Sequence, residues 1–122
     1  MQQVIFDSSF LMAVVETPTT WFEDIIGGVG RFQPVLPDCV RAELEKIASE
    51  QSKKARTARV SLELASKFSK IPCGSARVDD EIVSAALSSG AMVATVDTEL
   101  LRALRGAHVK VISLRAGRVQ IG

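Results

Sequence analysis

The stretches "VIFD" and "VATVD" are apolar and rich in β-branched residues at successive positions, and each stops abruptly on an aspartate, Asp7 and Asp97. A strand whose consecutive residues are all apolar has to be covered on both faces, which happens at the centre of a parallel sheet lying between helices. Parallel neighbours need crossover helices between them, and such crossovers are right-handed. The rest of the 122-residue chain supplies them. "QQVIF" reads as the first strand, and "SSFLMAVVE" as a helix opened by Ser8 or Ser9 and closed before Pro18. Thr20 starts a second helix, with Glu23 at capping-box spacing and the glycines of "GGVG" at its end. "PVLP" reads as a short second strand, and in "DCVRAELEKIASE" Val40, Leu44 and Ile47 recur at helical spacing. A long helix is expected over 53–70, a third strand at "IPC", a helix over 79–89 and a fourth strand over 92–96. A helix over 99–105, a fifth strand at "VKVIS" and a terminal edge strand at "RVQI" complete the pattern. The expectation is one domain, 1–122, of α/β class. It is a three-layer α/β/α fold with a central, mainly parallel sheet of about five strands and helices on both faces.

Composition removes several classes of function. No window holds the roughly 18 consecutive apolar residues of a membrane span, and no basic segment leads into an apolar run with a small-residue cleavage site. A soluble, cytoplasmic protein without a membrane partner is expected. Cys39 and Cys73 have no Cys or His beside them at metal-ligand spacing and read as two reduced thiols. The formal net charge is only +1, yet basic residues gather in "KKARTAR" and again at Arg102, Arg105, Lys110, Arg115 and Arg118. Such groups are ordinarily solvated helix faces, but beside an acidic centre they suit a polyanionic partner. Trp21 and most phenylalanines fall at core-like positions and offer no obvious platform for stacking bases. His108, the only histidine, lies before the fifth strand and reads as a surface residue.

The acids carry more. Asp7 and Asp97 stand side by side if the first and fourth strands are neighbours, and α/β sheets bind ligands in the crevice beyond such strand ends. Glu43 lies one turn into the helix after the second strand, and Asp79, Asp80 and Glu81 open another helix. Each has an ordinary explanation: Asp97 as a helix N-cap, Glu43 as a solvated side chain, the Asp79 group as a cap with charges that suit the helix dipole. Taken together, the topology puts four carboxylates, at Asp7, Glu43, Asp79 and Asp97, on one rim. Like charges that close raise one another's pKa, and a divalent cation is the natural compensation. Oxygen donors without His or Cys select Mg²⁺ or Mn²⁺ over zinc.

"VIFDSSFLM", "PDCVRAELEKI", "VDDEIVSAAL" and "VATVDTELLRALR" resemble, in order and over nearly the whole chain, the four acidic motifs of the PIN domain family of nucleases. Within it, "DCVRAELEK", "IPC", "DDEIV" and "VATVDTEL" are most similar to the PIN nuclease of the small-subunit processome and its archaeal relatives; toxin-type PIN ribonucleases are also close. The resemblance implies catalytic and metal-binding roles for Asp7, Glu43, Asp79 and Asp97. Asp79 is preferred to Asp80 because it stands three residues before Ile82, as in the family's D-x-x-I pattern, and Asp80 becomes a supporting acid. Ser8 takes the small polar position after the first aspartate, Thr95 the hydroxyl position two before the last, and Glu99 an additional acid. The implied activity is metal-dependent endoribonuclease cleavage in rRNA or other RNA processing, by attack of water on phosphorus, leaving 5′-phosphate and 3′-hydroxyl ends. Lys53, Lys54, Arg56 and Arg102 would hold the RNA backbone, since phosphate contacts give affinity without reading sequence. The alternatives are a ribonuclease toxin with an antitoxin partner, and an RNA-binding scaffold, within a processing complex, that cleaves weakly or not at all. Family habit implies a homodimer. A haloacid dehalogenase phosphatase needs a second aspartate where Ser9 stands, a receiver domain lacks its acidic pair and lysine here, and "GGVGRF" lacks the third glycine of a dinucleotide fingerprint.

Overall fold

Strand β1 (Gln2–Phe6) runs through the middle of the sheet, with β2 (Phe32–Pro37) on one side and β4 (Met92–Ala94) on the other. Both are parallel to it, and Ile5 pairs with Val35 and with Val93. β3 (Ser69–Ile71) extends the sheet beyond β2, and β5 (Val111–Arg115) extends it beyond β4, again in parallel. β6 (Arg118–Ile121) closes the far edge antiparallel to β5, so the edge strand expected at "RVQI" makes a sixth strand. The order is β3-β2-β1-β4-β5-β6, which reverses direction between β1 and β4. The structure is a computed structural model that describes residues 1–17 and 19–122. The part expected of Pro18 in closing the first helix falls outside the described residues.

The pleat of β1 divides the core. Val4 and Phe6 point to one face and Ile5 to the other, all essentially inaccessible. On the Phe6 side lie α1 (Ser8–Glu16), α2 (Trp21–Val29), α3 (Asp38–Ser49) and α4 (Lys54–Leu64). The Phe6 ring sits 5.7 Å from those of Phe10 and Trp21, 6.3 Å from Phe32 and 5.1 Å from Phe68, a cluster that pins two helices and the turn after α4 to the sheet centre. On the Ile5 side lie α5 (Val78–Ser89) and α6 (Thr98–Gly106), anchored by Ile82, Ala86, Leu100 and Leu104. Among the described residues, no helix is long and apolar enough to cross a membrane.

Several local expectations are corrected. The helix foreseen over 53–70 stops at Leu64, and Ser69–Ile71 pairs with β2 in place of "IPC". Phe68 turns inward to the aromatic cluster, and the strand begins at the next residue. The capping box at Thr20 does not form: its hydroxyl bonds the Asp24 carboxylate at 3.1 Å, while Thr19 accepts from the Trp21 N–H. Within "GGVG", Gly30 alone takes a left-handed backbone, at φ 90°, and Gly28 lies where a Cβ would collide with Ile121. Cys39 and Cys73 are not free thiols but a disulfide, with Cα atoms 5.8 Å apart. Although 34 residues separate them, they follow the adjacent strands β2 and β3, and that pairing brings them together.

The cross-link predicts a measurable loss. Reduction, or the double change Cys39→Ser and Cys73→Ser, should lower stability by about 2–4 kcal/mol through the freed loop. It should appear as a lower melting temperature in reductant. A melting temperature that reductant leaves unchanged would contradict the bridge.

Candidate active site

Phe6 pairs with Ala94. The residues just beyond them, Asp7 on one strand and Thr95 to Asp97 on the other, therefore emerge together at the carboxyl edge of the sheet. The Asp7 N–H donates to the Ala94 carbonyl at 3.0 Å and fixes that alignment. Asp7 occupies the N-cap position of α1, yet its side chain bonds no N–H of the helix. Its Oδ2 accepts instead from Ser9 Oγ at 2.6 Å and from Thr95 Oγ1 at 2.8 Å. The two hydroxyl oxygens lie 3.0 Å apart and in turn accept backbone N–H groups, Ser9 from Val96 and Thr95 from Asp97, each at 3.1 Å. Both hydroxyl hydrogens are thereby left to point at one carboxylate oxygen. Oδ1 takes no hydrogen bond from the described residues. Asp7 is only 4% exposed, and no described Lys, Arg or His lies within ion-pairing distance of it. A carboxylate charge without a compensating cation is costly at that depth.

Three further carboxylates face the same space. Asp97 caps α6, its Oδ1 accepting from the Leu100 N–H at 2.9 Å. Glu43, half-buried on α3, accepts a bond from the Ser8 hydroxyl through Oε1. Asp79 lies in the first turn of α5. With Ser8, Ser9, Lys46, Ile47 and Glu50, these acids and Asp7 line one cavity of about 420 Å³. Burial raises the Asp79 pKa above the ordinary carboxylate value, and the charges of Asp7, Asp97 and Glu43 push it the same way against the opposing Arg77.

Other residues singled out in the sequence lie elsewhere. Asp80 and Glu99 are exposed and do not line the cavity. Lys53, Lys54 and Arg56 are exposed at the start of α4, where Lys54 pairs with Glu16 at 3.5 Å. Arg102 lies in a shallow depression on α6 with Thr98, Leu101 and Arg105. Ser9, Lys46 and Glu50 were not anticipated. Lys46 and Glu50 follow Glu43 by three and seven residues, a spacing that repeats one helix face, and the second serine of "DSS" is the signal for Ser9.

Among the described residues, no three His, Cys, Asp or Glu side chains converge tightly enough to hold an ion by themselves. The donor set still fits a hard cation. It consists of carboxylates and hydroxyls around an open cavity, where Mg²⁺ or Mn²⁺ retains several waters, and the buried, unpaired charge of Asp7 is what such a cation would neutralise.

A family model described as "PIN like domain" matches residues 4–117. The chain belongs to the PIN-like domain family. Among solved structures, the PIN domain endonuclease Utp24 superposes with a TM-score of 0.80 at 25% identity, over 98% of this chain and 90% of that one. A domain of a functionally unknown protein from Methanocaldococcus jannaschii gives a TM-score of 0.70 at 16% identity, over 100% of this chain and 97% of that one. A PilT N-terminus domain protein from Sulfolobus solfataricus gives 0.51 at 11% identity, over 92% and 87%, and like the preceding match speaks to fold alone. No curated protein matches the sequence significantly. The PIN-like fold accounts for the expected three-layer architecture and places the acidic cavity at its sheet switch point.

Two measurements probe this arrangement without a substrate. Asparagine caps helices as well as aspartate does, so Asp97→Asn should leave α6 capped while Asp97→Ala costs about 1 kcal/mol. Both should weaken binding of Mn²⁺ alone, seen in titrations; Mn²⁺ affinity unchanged in Asp97→Asn would leave the residue a cap only. The raised Asp79 pKa means that the metal-free folded protein binds more protons than the unfolded chain between the two pKa values. That contribution is fully present below the unfolded pKa and lost as pH rises through the folded one. Melts in chelator should therefore show a stability gain on acidification that Asp79→Asn abolishes.

Proposed function

We propose that this PIN-like domain is a divalent-metal-dependent endoribonuclease. The observation that carries the reading is Asp7, a buried carboxyl group that accepts two hydroxyl hydrogen bonds on one oxygen and has no cation beside it among the described residues, at the switch point of the sheet. The likeness to the Utp24 endonuclease over 98% of the chain supports cutting within a strand. Asp7, Glu43, Asp79 and Asp97 would hold the ion. When bound, Mg²⁺ or Mn²⁺ supplies Lewis-acid stabilisation of phosphoryl charge and makes water a competent nucleophile near neutral pH.

The chain's own side chains do the positioning. Ser9 and Thr95 occupy Oδ2 of Asp7 and so direct its other oxygen toward the cavity. Ser8 orients Glu43, and the backbone of α6 orients Asp97. Water attacks phosphorus in line and O3′ departs, which leaves 5′-phosphate and 3′-hydroxyl ends. No histidine is needed, and His108 lies on an exposed loop outside the cavity. Lys53, Lys54, Arg56 and Arg102 serve as contacts for backbone flanking the cut. A role in rRNA or other RNA processing suits this chemistry.

The test is incubation of single-stranded and structured RNAs with Mn²⁺ or with chelator, followed by mapping of the ends. Cleavage should require the ion and fall at least about a hundredfold in Asp7→Asn, with the circular dichroism spectrum retained. Ends carrying 2′,3′-cyclic phosphate would overturn the hydrolytic reading, because they report attack by the RNA's own 2′-hydroxyl.

A further inference from the structure

Lys46 stands three residues after Glu43 on α3 and leaves the helix on the same face. Among the nine residues lining the acidic cavity it is the one base, against the carboxylates of Asp7, Glu43, Glu50, Asp79 and Asp97. Its ammonium makes no ion pair with any described acid, even though Glu50 occupies the i+4 position where a helical lysine ordinarily finds a partner. Arg41 on the same helix behaves differently, engaging Asp38 at 3.6 Å and Glu45 at 3.0 Å. The cavity wall therefore carries an exposed, unneutralised cation facing a concentration of negative charge.

We propose that Lys46 holds a non-bridging oxygen of the phosphodiester in the cavity, a role that rests on the nuclease reading. Five carboxylates repel an approaching phosphate even when an ion neutralises part of their charge. An ammonium offers three N–H donors and acts on phosphate as a point charge. From the Glu43 face of α3, Lys46 reaches the same space as the acids, which none of the basic residues at the start of α4 does. It binds substrate and not the ion, and this separates it from the carboxylates.

Three measurements on wild type, Lys46→Met and Lys46→Arg test the assignment. Lys46→Met should lower single-turnover cleavage of a short RNA in Mn²⁺ about tenfold or more. Its Mn²⁺ affinity in the absence of RNA should be unchanged or tighter, since a like charge has been removed. Anisotropy of a fluorescent single-stranded RNA, measured in Mn²⁺ on the Asp7→Asn background so that the RNA stays intact, should show a salt slope shallower by about 0.7. Lys46→Arg should recover most of that slope. Wild-type rate and slope in Lys46→Met would overturn the assignment, as would a lost rate accompanied by lost Mn²⁺ affinity, which would make Lys46 a support of the ion site. If wild type cuts no RNA, the nuclease reading fails, and the salt slope by itself decides whether Lys46 touches phosphate.

Discussion

A single carboxylate oxygen, Oδ2 of Asp7, ties the two central strands together beyond the end of their ladder. Ser9 reaches it from α1 and Thr95 from the segment after β4, and each hydroxyl is itself held by a backbone N–H of that segment. The position of Asp97 is thus linked to that of Asp7 through two hydroxyls and two peptide groups. The connection places a charge in the middle of the molecule, 4% exposed, where hydrocarbon burial of the same volume would be more favourable for stability. Its location follows from topology. Only where strand order reverses do adjacent connections diverge, one toward α1 and the other toward α6, and leave room for a ligand above the strand ends.

The outer acids arrive by separate routes. Glu43 comes on α3 after β2, and Asp79 on α5 after β3. Burial first, and then the charges of Asp7, Asp97 and Glu43, raise the Asp79 pKa, and the Glu43 part of that repulsion works against bringing those helices together. Two restraints oppose it. The disulfide joins Cys39, four residues before Glu43, to Cys73, six residues before Asp79. Glu81 accepts the Gly74 N–H and so binds the loop after Cys73 to the first turn of α5. The covalent link and the loop bond hold in place two charges that the hydrophobic core alone would have to restrain.

What the sequence revealed tracks the range of the interactions involved. Strands β1 and β4 were legible because burial on both faces leaves an unbroken apolar run, and Asp7 and Asp97 because they end those runs. The end of α4 was not, since Leu62, Ala65 and Phe68 continue a helical spacing past Leu64, where the helix stops and Phe68 turns into the aromatic cluster. The disulfide depends on β2 and β3 lying side by side, a long-range fact with no local signature. Asp97 reads in the sequence as either a cap or a site residue, whereas its two oxygens allow both at once: Oδ1 caps α6 while the side chain lines the cavity. Charge clustering along the chain proved a poor guide to the cavity. The basic run at the start of α4 lies away from it, and the one base that lines it, Lys46, stands alone between two glutamates on its helix face.

The looseness of the acidic cavity bears on how the proposed reaction would be organised. With no three side chains converging on a point among the described residues, an ion held there must draw much of its coordination from water and from the phosphate it acts on. In the proposed reading, ion and substrate then complete one another's site. By linkage, each raises the equilibrium affinity of the other by the same factor. In that reading, the five carboxylates lining the cavity repel phosphate in the absence of the ion. In the proposed reading, a competent arrangement forms only when metal and RNA arrive together, which keeps a small, open and strongly acidic site from acting as an indiscriminate metal trap.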